Sequence, residues 1–155
     1  MGATAMNVIK NLFFLFLLLL LFSACAEKQL VTTVREEAYQ AYSNNDYGTA
    51  AEKFELLVKK APEDVEFWFR LGNAYARSQR PGLAVSAYQN ALLRDPKNVK
   101  AWYNMGIIQT QTALKTFVDM GRYTDKNSLL SQKGQDMQEG LFLLLEPDNE
   151  QQTSK

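Results

Sequence analysis

The chain has 155 residues, 46% of them apolar, which is enough to bury the core of one domain or of a short repeat array. Its 17 basic residues balance 17 acidic ones, so net charge provides no attraction to nucleic acid. With no histidine and a single cysteine, Cys25, the chain cannot form an intrachain disulfide, a Cys/His zinc site or a histidine-dependent catalytic triad. We therefore expect no metal, no cofactor and no enzymatic activity.

The first 24 residues are predicted to be a leader peptide. An unbroken apolar run occupies residues 12–22. As a helix this run spans about 16 Å, roughly half of the hydrocarbon thickness of a bilayer. That length is short for a membrane span and typical of the apolar region of a signal peptide. The leader is predicted at residues 1–24, with either Met1 or Met6 as its start.

The leader ends in small residues followed by a cysteine, and residues 21–25 resemble a bacterial lipobox. In that family a diacylglyceryl group is attached to the cysteine, here Cys25, and the leader is cut before it. Phe22 stands where the family usually carries an aliphatic residue, and Ala26 stands where an inner-membrane retention signal would place Asp. The resemblance implies an acylated lipoprotein of the outer membrane that faces the periplasm. Two alternatives stay open: an uncleaved anchor helix, and cleavage after Ala24 by the ordinary signal peptidase.

Beyond the leader, a residue pattern recurs with a spacing of 34. Five pairs share this offset: Trp68 and Trp102, Gly72 and Gly106, Pro62 and Pro96, Ala50 and Ala84, Phe54 and Tyr88. The period and the residue types resemble the tetratricopeptide repeat (TPR), a helix–turn–helix unit. The resemblance implies an all-α fold, a short right-handed superhelix with an elongated C-terminal helical hairpin. We predict a tether, three units and a polar tail: 25–30, 31–64, 65–98, 99–149 and 150–155.

Capping residues predict where the helices of the repeats begin. Asp46, Asp64 and Asn98 are good N-cap residues, and Pro81 suits the first position of a helix. Gly72 would let a neighbouring helix approach closely. Apolar residues at helical spacing predict the packing stripes: Ala50, Phe54, Leu57 and Val58, then Trp68, Leu71 and Tyr75, then Ala84, Tyr88 and Ala91.

The third unit is longer than the others. Its closing motif returns at Pro147, 51 residues after Pro96, which leaves 17 residues beyond the period. We predict an insertion that adds about two turns to each helix, with Gly121 ending the first and Asp125 or Asn127 capping the second. Five apolar residues are expected to pack this hairpin: Met120, Tyr123, Leu129, Leu130 and Met137. The alternative is a degenerate helix pair followed by an unrelated capping helix.

The resemblance also implies where a partner binds, because function in this family lies on the concave face. By position it assigns seven residues to this groove: Arg35, Tyr39, Tyr42, Phe69, Asn73, Tyr103 and Ile107. Rigid aromatic side chains suit the docking of a protein or peptide. Some family members clamp a terminal carboxylate, but only Arg35 and Asn73 would fit such a clamp here.

The predicted function is that of a membrane-anchored TPR scaffold or adaptor. It would bind a protein partner in the bacterial cell envelope and assist the assembly of an envelope complex. A self-associating scaffold, with the C-terminal hairpin as its surface, is one alternative. An activator of a cell-wall or polysaccharide enzyme is another. No nucleic-acid partner is expected, and the sequence defines neither the partner nor the oligomeric state.

Overall fold

The computed structural model describes residues 29–145, and within this range all regular structure is helical. Six helices follow one another: α1 at 29–43, α2 at Tyr47–Lys60, α3 at Val65–Arg77, α4 at Pro81–Arg94, α5 at Val99–Met120 and α6 at Leu129–Leu145. The predicted all-α fold with an elongated C-terminal hairpin is confirmed. The predicted leader, Cys25 and the polar tail lie outside the described residues, and the unit boundaries stay predictions.

The described residues divide into two compact units, one ending at Pro62 and the other starting at Glu63. In the first, the ring of Tyr39 on α1 packs edge-on against Phe54 of α2, with 5.5 Å between ring centroids. The predicted stripe of α2 is confirmed, because all four of its residues are buried. Helix α1 also includes residues 29 and 30, which we had placed in the tether.

The predicted starts of helices α2 to α5 are confirmed. The Asp46 carboxylate accepts a hydrogen bond from the Thr49 N–H at 3.1 Å, which caps α2. Hydrogen bonds from the Thr49 hydroxyl, and then from its N–H, hold the pKa of Asp46 below its ordinary value of 3.8. Asp64 and Asn98 cap α3 and α5 in the same way, and Pro81 is the first residue of α4.

Helices α3 and α4 pack closely because a glycine faces an aromatic ring. A Cβ at Gly72 would lie 2.5 Å from Cε1 of Tyr88, a distance that real Cβ atoms do not adopt. Tyr88 is almost completely buried, and Ala84 and Ala91 on the same face of α4 are inaccessible. The predicted close approach at Gly72 is thus confirmed, and α4 is held against α3 along its length.

The additional length of the C-terminal hairpin is not shared equally between its helices. Helix α5 has 22 residues against 13 in α3, whereas α6 has 17 against 14 in α4. The connection at 121–128 is also longer than the turn at 78–80. Helix α5 ends before Gly121, as predicted. Most of the extra chain therefore extends α5 and its connection, not α6.

Helix α6 has a different cap from the one predicted. The Ser128 side-chain oxygen accepts a hydrogen bond from the Ser131 N–H at 3.1 Å, and the helix begins at the next residue, Leu129. The predicted caps, Asp125 and Asn127, instead form a turn in which the Asp125 carboxylate accepts the Asn127 N–H at 3.0 Å. Because Asp125 and Asn127 form this turn, Ser128 is the residue that caps α6.

The predicted packing of the hairpin is largely wrong. Tyr123 is 90% exposed, and Leu129, Leu130 and Met137 are each more than half exposed. Only Met120 among the five is partly covered. The buried residues of α6 are instead small ones, Ser131 and Gly134.

The reason is the close contact between the two helices of the hairpin. A Cβ at Gly134 would overlap Cε of Met120, so a larger residue here would require the flexible end of this side chain to move. Further along, the Gln138 side-chain amide donates a hydrogen bond to the Phe117 carbonyl at 3.0 Å. Two helices facing each other bury only one narrow stripe, and the larger apolar residues of α6 lie outside it.

Within residues 29–145, no helix is both long enough and apolar enough to cross a membrane.

Candidate functional site

The second unit brings three polar side chains of three helices together. The Asn73 amide oxygen on α3 accepts hydrogen bonds from the Tyr88 hydroxyl on α4 and from the Asn104 amide on α5, both at 2.8 Å. Asn73 is half-buried, and the two donors fix the plane of its amide at a position that is partly shielded from water. Its own N–H groups have no acceptor within residues 29–145 and remain available to a ligand.

Aromatic and apolar side chains on α3 and α5 accompany this cluster. Phe69 on α3 packs against Tyr88, with ring centroids 6.0 Å apart, and is half-buried. On α5, Ile107 is half-buried and Tyr103 is 67% exposed. One predicted groove residue is therefore fixed against the core, while another projects a phenol into solvent.

Two of the three groove residues predicted in the first unit pack against α2. Tyr42 packs edge-on against Tyr47, with ring centroids 5.2 Å apart, as Tyr39 does against Phe54. Both are half-buried, whereas Arg35 is exposed. Each tyrosine thus combines a supporting contact with an accessible edge, a combination that suits recognition at low entropic cost.

Two members of the Asn73 cluster were not predicted as site residues. The offset of 34 pairs Asn73 with Ile107, so it does not indicate Asn104, which lies 31 residues further along. Tyr88 was predicted as a core residue, and its ring does lie in the core. Its hydroxyl nevertheless reaches the cluster, and only the presence of a tyrosine in a buried stripe could have indicated a hydrogen-bond partner.

The chemistry of the site is that of binding. Its groups are amides, phenols and hydrocarbon side chains, which recognise a ligand through hydrogen bonds and burial. Within the described part of the chain, no group of three or more His, Cys, Asp or Glu residues could hold a metal ion. The acidic residues at the start of α3 have local roles: Asp64 caps the helix and Glu66 pairs with Arg70 at 2.5 Å.

Comparison with protein families gives one description for most of this region. Residues 35–88 and 72–117 both match the model of a family described as tetratricopeptide repeat. Together the matches span residues 35–117, more than half of the chain.

The curated relatives match part of this chain and a small part of their own length. The peroxisomal targeting signal receptor of Candida glabrata is 35% identical over 66 residues, which are 43% of this chain and 11% of that protein. The general transcriptional corepressor ssn6 of Schizosaccharomyces pombe is 32% identical over 89 residues, 56% of this chain and 7% of that protein. The chain thus spans about a tenth of the length of these relatives, or less.

Solved structures agree on the fold. The TPR2B domain of yeast Sti1 in a complex with pHsp70 aligns with a TM-score of 0.51 and 20% identity, over 74% of this chain and 97% of that one. The CopN–Scc3 complex gives 0.52 and 24%, over 75% and 69%. The TPR domain of Arabidopsis OM64 gives 0.51 and 16%, over 74% and 96%. At these identities the likeness concerns the fold only.

Proposed function

The chain belongs to the tetratricopeptide repeat family, and we propose that it is a membrane-anchored adaptor that holds a protein partner in the bacterial cell envelope. The family supports a protein–protein interaction scaffold. The proposal adds the membrane anchor, the envelope location and the residues that contact the partner. The observation that carries it is the Asn73 cluster, an amide fixed by two hydrogen bonds beside accessible aromatic groups.

The cluster favours a partner that presents backbone carbonyl groups next to apolar side chains. Because Tyr88 and Asn104 already hold the amide oxygen of Asn73, its N–H groups can donate to such a carbonyl without reorganisation. Tyr103 would supply a large contact area and become buried on binding. Such aromatic anchors commonly contribute about 2 kcal/mol or more of the binding free energy.

The proposed anchor is a lipid on Cys25. Its support is the apolar run at residues 12–22 followed by a small residue and this cysteine. A lipid with several acyl chains gives stable attachment without a spanning helix. The repeats would then face the periplasm, a short distance from the outer membrane.

The anchor is tested by intact mass and fractionation of the full chain expressed in a Gram-negative cell, beside Cys25→Ser. We expect a membrane-bound product that starts at Cys25, with added acyl mass, and its loss in the variant. An uncut chain, or a soluble product starting after Ala24, would remove the lipid from the proposal.

The groove is tested by site-specific photo-crosslinking in the same cells. A benzophenone amino acid at Tyr103 should give a discrete crosslinked product, and Ile107→Ala should reduce its yield severalfold. The matched control is the same probe at Tyr123, which is 90% exposed and lies in the connection between α5 and α6. Equal products at both positions, or a product at Tyr123 alone, would contradict the groove.

A second candidate function, self-association, is favoured by one surface of α6. Leu130, Met137 and Leu144 follow one another at intervals of seven residues, and each is more than half exposed. This spacing places the three side chains on one face of the helix, at one of the two apolar positions of a heptad repeat. Sedimentation equilibrium of the full chain in detergent should then show a dimer that Met137→Lys dissociates. A monomer at all concentrations would exclude this candidate.

A further inference from the structure

One face of α5 is open where the matching face of α3 is covered. In α3 this face consists of one buried and two half-buried residues. Its counterparts 34 residues later are Val99, which is 74% exposed, Trp102, which is 52% exposed, and Gly106. The three pairs are Val65 and Val99, Trp68 and Trp102, Gly72 and Gly106. We call the second members of these pairs the α5 slot.

In the α3 pair, two side chains of α4 cover this face. The Tyr88 ring lies against Gly72, and the Arg94 guanidinium lies 5.2 Å from the centroid of the Trp68 ring. Nε of Arg94 is also 3.7 Å from a carboxylate oxygen of Glu63. The cover is therefore an aromatic residue followed, six positions later, by a charged residue that meets an opposite charge.

Helix α6, as far as it is described, does not cover the α5 slot. Its contacts with α5 join Gly134 to Met120 and Gln138 to Phe117. Continuing this antiparallel register over seven residues brings the last described residue, Leu145, level with Thr110 and short of Gly106. Apart from its chain neighbours and the nearby backbone of α5 itself, no heavy atom of the described residues lies within 4 Å of a Cβ built at Gly106.

The charge beside the slot is the reverse of the charge beside its α3 counterpart. The offset of 34 replaces Glu63, which meets Arg94, by Lys97. Lys97 is exposed and forms no salt bridge with any residue in the range 29–145. The face of the Trp102 ring favours a cation, so a side chain at the place of Arg94 that meets an opposite charge would have to be acidic and lie beside Lys97, off the ring face.

We propose that the α5 slot binds an amphipathic helix of a partner protein. This helix runs antiparallel to α5, places an aromatic side chain on Gly106, and carries Asp or Glu six positions later beside Lys97. The chain itself shows this packing once, in α3 and α4. The slot is a second surface, and its occupation does not depend on the groove.

The probe is a helix-stabilised, fluorescent peptide with the sequence of α4, Pro81–Arg94, that carries the change Arg94→Glu. It is titrated with the full chain in detergent and followed by fluorescence anisotropy. We expect saturable binding about tenfold tighter than that of the same peptide with arginine, since each desolvated charge pair contributes to discrimination. The variant Lys97→Glu should reverse this preference.

Gly106→Leu should abolish binding by filling the slot. Because no described atom lies close to Gly106, this variant should still fold, as circular dichroism would check. The matched control is Gly140→Leu, an equally open glycine on α6, which should leave binding unchanged. Absence of saturable binding, equal affinity of both peptides, or equal effects of the two leucine variants would overturn the proposal.

Two other occupants have their own signatures, and either one contradicts a partner helix. If the peptide binds only after residues 146–155 are deleted, the chain's own terminal segment occupies the slot. If the full chain forms a dimer that Gly106→Leu dissociates, a second copy occupies it.

Discussion

The α3–α4 pair and the α5–α6 pair open with the same residue pattern and end with different packing. Both first helices start from a capping residue and carry Trp and Gly four positions apart. In the first pair, a tight turn returns α4 along the whole of α3. In the second, a longer connection returns α6 along the far end of α5. The same helix face is therefore core in one pair and surface in the other.

The difference continues in what the second helices bury. Helix α4 buries three alanines, a tyrosine and a leucine, whereas the buried residues of α6 are Ser131 and Gly134. Burial of apolar area is the main source of stability, so we expect α4 to stabilise its unit much more than α6 does. The apolar groups that α6 and α5 leave exposed are then available for partners.

The largest expected difference concerns aromatic residues of the two second helices. Tyr88→Ala should lower the free energy of unfolding by about 3–5 kcal/mol, because it leaves a cavity in the space that the fully packed ring occupies. Phe142→Ala, at a position that is 56% exposed, should cost roughly 0.5 kcal/mol or less. Urea unfolding followed by circular dichroism measures both. Similar losses would mean that α6 packs as α4 does.

The two matched glycines should respond with opposite signs. Gly72→Ala forces a methyl group into the buried Tyr88 ring and should cost about 1–3 kcal/mol. Gly106→Ala meets no described atom and should stabilise α5 by roughly 0.5–1 kcal/mol through helix propensity. The pair is compared by thermal and urea unfolding. Destabilisation by Gly106→Ala would show that the slot is already covered.

The hydrogen bond of Tyr88 should contribute less than its ring. Tyr88→Phe keeps the packing and removes one of the two donors to Asn73, so it should cost about 0.5–1.5 kcal/mol. Tyr103→Phe, at a side chain that is mostly exposed, should leave stability unchanged. Equal effects of the two variants would argue against the Asn73 cluster.

Substitutions of the helix-capping residues should give the smallest difference between the two helix pairs. Asp64→Ala removes two hydrogen bonds at the start of α3 and should cost about 1 kcal/mol. Ser128→Ala removes the cap of α6 and should act mainly on that helix, by speeding hydrogen exchange at the Ser131 N–H. Exchange in α4 serves as the internal control. Faster exchange in both helices would show that they unfold together.

Much of the fold could be predicted because its signals are local. The caps at Asp46, Asp64 and Asn98 and the stop at Gly121 each depend on hydrogen bonds within a few residues, and the helix start at Pro81 depends on the fixed φ of proline. The repeat offset of 34 identified the helix pairs and the tight contact at Gly72. These features were confirmed, and the family match agrees with them.

The candidate site could be predicted only in part. Positions taken from the repeat indicated Asn73 and Phe69, but not Asn104, whose amide reaches Asn73 from a position outside the offset. The predicted groove residues themselves stay a prediction, since partner contacts are a property of the complex. Lipidation of Cys25 likewise depends on residues outside the described range.

The sequence by itself determined the helical period, the caps of α2, α3 and α5, and the first helix of each pair, because neighbouring residues encode all three. The tertiary structure alone decided how α6 meets α5. The connection at 121–128 does not restrict the register as a three-residue turn does, and the apolar residues of α6 surround the helix without marking one face. The register was decided instead by the contact of Met120 with Gly134 and by the Gln138–Phe117 hydrogen bond. That register leaves Trp102 and Gly106 open, although the matching residues of α3 are covered.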